Sequence, residues 1–291
     1  MMPIKEIAQK IDAYERLMRL DKPIGILLLL WPTLWALIIA GQGKPDWIVV
    51  LIFVTGTVLM RSAGCVMNDI ADSKYDGLVE RTQHRPLVNH EVTKKEAYML
   101  VVGLSFTAFV LVCLLNTLTI KLSIVAILLA ATYPFTKRFF AIPQAYLGIA
   151  FGWSIPMAFA AILGYIPPIA WLLLLANIFW AIAYDTEYAM VDREDDLKIG
   201  IKSSAITFGR FDVLAVMICY ALTLLVLMVV GKRLLLDAPY YLGLMIAMGF
   251  AFYHYFLIRT REKSKCFQAF LHNNWFGLSV FAGFYSHYLI N

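Results

Sequence analysis

From residue 24 onward the chain is a succession of long apolar runs separated by polar breaks, at 24–40, 47–65, 97–115, 119–134, 144–163, 168–188, 212–231, 239–258 and 274–290. A helix needs roughly 20 mostly apolar residues to cross a bilayer, and only closed hydrogen-bonded elements survive there. The pattern therefore predicts an all-α, polytopic bundle of nine transmembrane helices forming one domain over 24–290. Pro134, Pro143 and Pro156 interrupt the fourth and fifth runs. Ahead of the first run, Met1–Lys22 alternates charged and apolar residues at helical spacing and has no small-residue cleavage site. Residues 1–23 thus read as a retained amphipathic helix on the membrane surface. Nine spans leave the two ends on opposite sides.

Composition agrees with the pattern: of 291 residues, 61% are hydrophobic and 15% charged, against about a quarter charged in a soluble domain. This excludes a soluble globular protein, disorder, a collagen-like repeat and a nucleic-acid-binding role. Cys65, Cys113, Cys219 and Cys266 lie far apart and form no CxxC or Cys/His cluster, so neither a disulfide framework nor a zinc site is indicated.

Charge placement sets the orientation, because cationic loops stay on the cytoplasmic side. With the N-terminus inside, 21 of the 25 Lys and Arg fall on the inner side, Arg61 among them as a helix-end residue, and only Lys44, Lys121, Lys232 and Arg233 fall outside. The inner connections at about 66–96 and 189–211 are long and carry most of the acids. With 135–143 they predict a cytoplasmic cap where chemistry would sit.

Two acidic clusters mark that face. The second span runs into Asn68-Asp69-Ile70-Ala71-Asp72-Ser73-Lys74-Tyr75-Asp76. On a continuing helix, Asn68, Asp69, Asp72 and Asp76 share one stripe. The sixth span ends with Asp185, Glu187, Asp192, Glu194, Asp195 and Asp196, of which Asp185, Asp192 and Asp196 align at spacings of seven and four. A shift of 120 residues superposes Asp72-x-x-x-Asp76 on Asp192-x-x-x-Asp196, the trace an internal duplication would leave. Glu187, Glu194 and Asp195 fit equally well as solvated acids beyond a helix end.

Carboxylates stacked on one stripe repel unless positive charge lies between them. Oxygen donors without His or thiolate select Mg²⁺ or Ca²⁺, and Mg²⁺ completes its shell with water and phosphate oxygens. Facing rows of this kind point to a pyrophosphate clamped between metal ions, with Lys74, Arg81, Arg85, Arg193, Lys198 and Lys202 as nearby cations that either bind phosphate or serve as positive-inside anchors. A cation-coupled transporter is the competing class, but its acids would sit near the bilayer midplane, not at cytoplasmic helix ends.

The stretches GCVMNDIADSKYDGLVERTQHRPL (64–87), TYPFTKRFFAIPQ (132–144), GWSIPMAF (152–159) and AYDTEYAMVDREDDLKIGIKSSAITFG (183–209), with Arg19-Leu20-Asp21-Lys22-Pro23-Ile24-Gly25 before them, resemble the UbiA superfamily of intramembrane prenyltransferases, nearest its 4-hydroxybenzoate branch. The resemblance covers essentially the whole chain. It implies that Asn68, Asp72, Asp76, Asp192 and Asp196 hold Mg²⁺ and an allylic pyrophosphate, that Asp69 also belongs to the metal site, and that Asp185 supports catalysis. It maps a Lys-Arg pair onto Lys137 and Arg138 and gives Arg138 the carboxylate of the aromatic substrate. The implied activity joins a polyprenyl pyrophosphate to 4-hydroxybenzoate, ortho to its hydroxyl, in ubiquinone synthesis at a bacterial-type inner membrane, with no obligatory protein partner. The menaquinone, haem and chlorophyll branches are the alternatives within the superfamily.

Overall fold

A computed structural model describes residues 4–73, 76–78 and 82–290. Among them lie twelve α-helices: α1 (Ile4–Met18), α2 (Ile24–Ala40), α3 (Trp47–Asp72), α4 (Lys94–Val112), α5 (Thr117–Thr136), α6 (Pro143–Gly152), α7 (Ser154–Leu163), α8 (Pro168–Ile199), α9 (Ser204–Phe208), α10 (Asp212–Arg233), α11 (Ala238–Ile258) and α12 (Lys263–Ile290), with 3₁₀ turns at Asp76–Leu78 and Gly209–Phe211. Every apolar run of the sequence falls on a helix. Seven helical segments are long and apolar enough to cross a membrane, and α2 is a shorter apolar helix of 17 residues. The chain is a multi-pass membrane protein. The 28 residues of α12 are more mixed, because His272, Asn273 and Asn274 precede its apolar half.

Three boundaries differ from the sequence pattern. The fifth run is two helices, α6 and α7, which meet at Trp153 beside Gly152. Helix α3 ends at Asp72, so Asp76 lies in its own 3₁₀ turn rather than on a continuing stripe. Gly77 disfavours helix there, and Asp76 pairs instead with Arg85 across the turn. Residues 189–199 are not loop: α8 runs on to Ile199 and is capped by Gly200 at φ 72°, where glycine adopts the left-handed conformation without steric cost.

The main core joins α2, α7, α8, α10, α11 and α12 around Trp35, Trp180, Tyr184, Tyr220, Phe276 and Phe284. Helices α11 and α12 come into backbone contact at Gly243 and Gly283, where a Cβ on Gly243 would sit 2.6 Å from Ser279 O and 2.8 Å from Gly283 Cα. A second cluster seats α1 on the C-terminal end of α3: Ala13 and Leu17 pack on Val66, Ile70, Leu87, Val92 and Ala97. Arg16 pairs with Glu91, and Lys10 with Glu96. The Arg16 guanidinium holds the Glu91 carboxyl below its ordinary pKa. Glu96 also closes a capping box with Thr93 at the start of α4.

Candidate active site

One large cavity, about 1290 Å³, opens among α2, α3, α4, α5, α6 and α8. Asn68, Asp69, Asp72 and Asp76 line it from one side and Asp185, Asp192 and Asp196 from α8, so the two acid rows face a shared space. Away from the acids the walls turn apolar, with Phe53, Ala108, Val112, Leu115 and Met157 among them.

The helices explain the convergence. Helix α8 stays regular through the second motif, so spacings of seven and four hold Asp185, Asp192 and Asp196 on one face. On α3 the four-residue spacing does the same for Asn68 and Asp72. Lys137, at the end of α5, pairs with Asp72, while Gln144 of α6 hydrogen-bonds Asp185 and accepts from Ser204 N at 3.0 Å. Thr186 and Ser204 hydroxyls lie 2.7 Å apart, and Lys202 N donates to Lys137 O at 3.0 Å. The segment after α8 is thereby fastened over the ends of α5 and α6.

The donor set suits a hard divalent ion. Asp72 Oδ1 is buried and has no hydrogen-bond partner, an arrangement that is costly unless something positive approaches. Asp76 lies outside the spans. Burial pushes its carboxyl up to about 6 against the pull of Arg85, with Asp69 and Asp72 adding to the rise. Among the described residues no three His, Cys, Asp or Glu side chains form a cage by themselves. An ion such as Mg²⁺ takes one or two carboxylates and fills its shell with water and phosphate oxygens.

The other expected site residues differ in what already holds them and in whether they reach the cavity. Asp69 is almost fully buried and already held by Arg19 (3.0 and 2.9 Å) and Arg85 (2.9 Å). Its place is therefore that of a tie between the α1–α2 segment and the loop after α3, and its oxygens are taken by guanidinium. Arg85 lines the cavity but spends its charge on Asp69 and Asp76. Lys198 points away, 73% exposed and paired with Asp195 at 3.0 Å, because it is six residues past Asp192 and on another face of α8. Lys202 lines the cavity and donates to Phe139 O at 3.2 Å. Arg138 is exposed, lies outside the cavity lining, donates to Ala71 O at 3.2 Å and rests on Phe135. Lys74 and Arg81 lie outside the described residues.

Arg61 corrects the charge map. With α3 extending to Asp72, it sits eleven residues inside the helix instead of at its end. It lines the cavity, lies over the Phe151 ring at 5.4 Å and leaves its buried Nε without a partner. Its guanidinium rests against Gly25, where no Cβ would fit. The charge count placed it at a helix end on the inner side, because sequence alone could not tell where α3 stops. Tyr184, whose buried hydroxyl also lacks a partner, lines the same space. Glu187, read as a solvated acid, is in fact fully buried behind α8.

An intramembrane helical bundle with paired acid rows over an apolar cavity is the architecture of a prenyltransferase, and the chain belongs to the UbiA prenyltransferase family, which it matches over residues 29–278. It is similar to the 4-hydroxybenzoate octaprenyltransferase of Azoarcus sp. (strain BH72), 64% identical over 98% of this chain and 99% of that one. A second such relative, from Dechloromonas aromatica (strain RCB), is 63% identical over 98% and 97%. Among solved structures, the apo form of a UbiA homolog from Aeropyrum pernix K1 superposes with a TM-score of 0.78 at 24% identity, covering 88% of this chain and 96% of that one. A UbiA homolog from Archaeoglobus fulgidus bound to GPP and Mg²⁺ gives 0.70 at 17% identity, over 94% and 99%.

Proposed function

We propose that the protein transfers a polyprenyl group from polyprenyl pyrophosphate to the carbon ortho to the hydroxyl of 4-hydroxybenzoate, giving 3-polyprenyl-4-hydroxybenzoate. The observation that carries this reading is the meeting of both acid rows at the polar end of one apolar-walled cavity. The names of relatives at 63–64% identity support the same donor and acceptor classes.

In this reading Asn68, Asp72 and Asp76 hold metal-bound pyrophosphate from one side and Asp192 and Asp196 from the other. Mg²⁺, when bound, supplies charge that stabilises the departing diphosphate. Lys137 and Lys202 reach the same end of the cavity and neutralise phosphate oxygens. The apolar walls take the prenyl chain and keep water from the allylic cation, so that the electron-rich ring carbon meets it first. Asp185, held by Gln144, is placed to receive the proton that the ring then loses. For the acceptor's carboxylate the resemblance implied Arg138, which lies outside the cavity lining; of the guanidiniums that line it, Arg16, Arg19 and Arg85 are paired with carboxylates, whereas Arg61 keeps a buried Nε without a partner. Its planar fork suits a carboxylate, and Arg61 takes that role here.

The cation distribution supports an N-terminus and active site at the cytoplasmic face of a bacterial-type inner membrane, with residues 24–290 as the working unit and 1–23 as its surface segment. Purified protein in lipid, given Mg²⁺, a polyprenyl pyrophosphate and 4-hydroxybenzoate, is expected to yield the ring-alkylated acid. Folded protein that yields none, or that alkylates only a different aromatic class, would overturn the assignment.

A further inference from the structure

Behind α8, on the face turned away from the cavity, Glu187 belongs to a buried polar cluster that the proposed chemistry does not use. Tyr220 Oη of α10 lies 3.0 Å from Glu187 Oε1, 2.8 Å from His254 Nδ1 of α11 and 2.8 Å from Asn273 Oδ1 of α12. The Asn273 amide has one possible orientation. Its Oδ1 accepts from Trp180 Nε1, a donor only, at 2.9 Å, and its Nδ2 donates to Ala269 O, an acceptor only, at 3.0 Å and to Glu187 Oε2 at 2.8 Å. Tyr220 thus makes three short contacts, each of which needs a hydrogen, and the phenol carries one. Only that hydrogen can fill the contact with Asn273 Oδ1. The other two must come from His254 Nδ1 and from Glu187 itself. His254 Nε2 is then left to accept from His272 Nδ1 at 3.0 Å, and every atom of the cluster is satisfied.

We infer that Glu187 is a neutral carboxylic acid, and that the Trp180–Glu187–Tyr220–Asn273–His254 cluster is the fixture that sets the rotation of α8, so that Asp185, Asp192 and Asp196 face the cavity. The positions on the helix carry the second half. Glu187 lies about 200° around α8 from Asp185, and Trp180, two turns before Glu187, shares its face. The fixture grips α8 from behind with groups from α10, α11 and α12, while the acid row looks forward. Glu187 is in this sense a positioning residue for the metal-holding carboxylates, a role that rests on the function proposed above. Its protonation does not.

Two measurements on the full-length protein in lipid nanodiscs test this. In the infrared difference between wild type and Glu187→Gln, the band lost is expected to be the carbonyl stretch of a protonated carboxylic acid. Loss of the two carboxylate stretches instead would overturn the neutral assignment. Divalent ion binding is then read without turnover, by Mn²⁺ spin resonance in the presence of inorganic pyrophosphate. Glu187→Gln, whose amide can donate to Tyr220 and accept from Asn273, is expected to bind Mn²⁺ as the wild type does. Glu187→Leu is expected to bind about tenfold more weakly, the cost of losing a supporting shell. Tyr220→Phe, which keeps the ring and removes the bridging hydrogen, serves as the second variant where Glu187→Leu fails to fold, and is expected to weaken binding in the same direction. Unchanged Mn²⁺ affinity in the folded variant would overturn the positioning role. Wild-type protein that binds Mn²⁺ with pyrophosphate yet makes no prenylated product would instead remove the proposed reaction while leaving the fixture in place.

Discussion

Asp72 of α3 and Asp192 of α8 line the same cavity, and the proposed chemistry asks each for a charge. Asp72→Ala and Asp192→Ala are each expected to lower kcat by 10²-fold or more, on the scale of losing one preorganised electrostatic partner of the transition state, with a melting temperature near that of the wild type. Steady-state turnover beside thermal unfolding checks this, and a wild-type rate in either variant contradicts the two-sided clamp. The acceptor's carboxylate is tested by a pair of substitutions. A charge-assisted hydrogen bond contributes about 1.5–3 kcal/mol, so Arg61→Ala is expected to raise the KM for 4-hydroxybenzoate by roughly tenfold or more. Arg138→Ala, which alters an exposed contact to Ala71 O, is expected to change it about twofold or less. The reverse order would return the role to Arg138. The faces of Asp72, Asp185, Asp192 and Asp196 were legible in the sequence because spacings of four and seven describe a helical face where the helix persists, whereas Asp76 shares the cavity from its own 3₁₀ turn. Arg61 was not, because its meaning depends on where α3 ends. Glu187 was not, because its partners Tyr220, His254 and Asn273 are far away in the chain.

At the scale of elements, the apolar runs located the spans closely, since hydrophobic length is what a bilayer selects. The ends were harder, because continuation beyond the membrane depends on local chemistry. Helix α8 extends through a run of acids because its stripe faces a cavity while Glu194 and Asp195 on its other faces pair with Lys263 and Lys198. The α6–α7 break and the 3₁₀ turn at Asp76 answer to Pro, Gly and a tertiary ion pair. What positions the back wall of α8 is the α11–α12 pair, and its closeness depends on Gly243 meeting Gly283. A valine at 243 would drive its side chain into the α12 backbone, so Gly243→Val is expected to destabilise the protein by about 1–3 kcal/mol. Gly249→Ala serves as the control on the same helix, because a Cβ there meets nothing within 4 Å. Thermal unfolding in detergent checks the contrast. Equal loss in both variants would mean that the close approach at Gly243 is not what governs α11.

For the whole molecule, the polar and apolar ends of the cavity must match the two sides of the membrane. The acid rows lie at the ends of α3 and α8, while the apolar lining reaches Val112 and Leu115 at the opposite end of α4. A charged pyrophosphate therefore enters where the acids are, and the prenyl chain extends from there through the bilayer's depth. In the proposed orientation that polar end faces the cytoplasm, and the molecule carries its own probe of the proposal. Cys113, just beyond α4, is exposed, whereas Cys65, Cys219 and Cys266 are buried. Cys113 caps the end of α4 remote from the acid rows, so a membrane-impermeant maleimide added outside intact spheroplasts is expected to label the wild type and to miss Cys113→Ala. Lys198→Cys in the Cys113→Ala background, on the exposed flank of the second acid row, is expected to react only in inverted vesicles. Labelling of the two positions from the same side would mean that the acid rows and the far end of α4 do not span opposite leaflets. Labelling with the sides exchanged would put pyrophosphate chemistry on the outer face, against a distribution, with Arg61 set aside as lying within α3, of 20 inner cations to 4 outer ones.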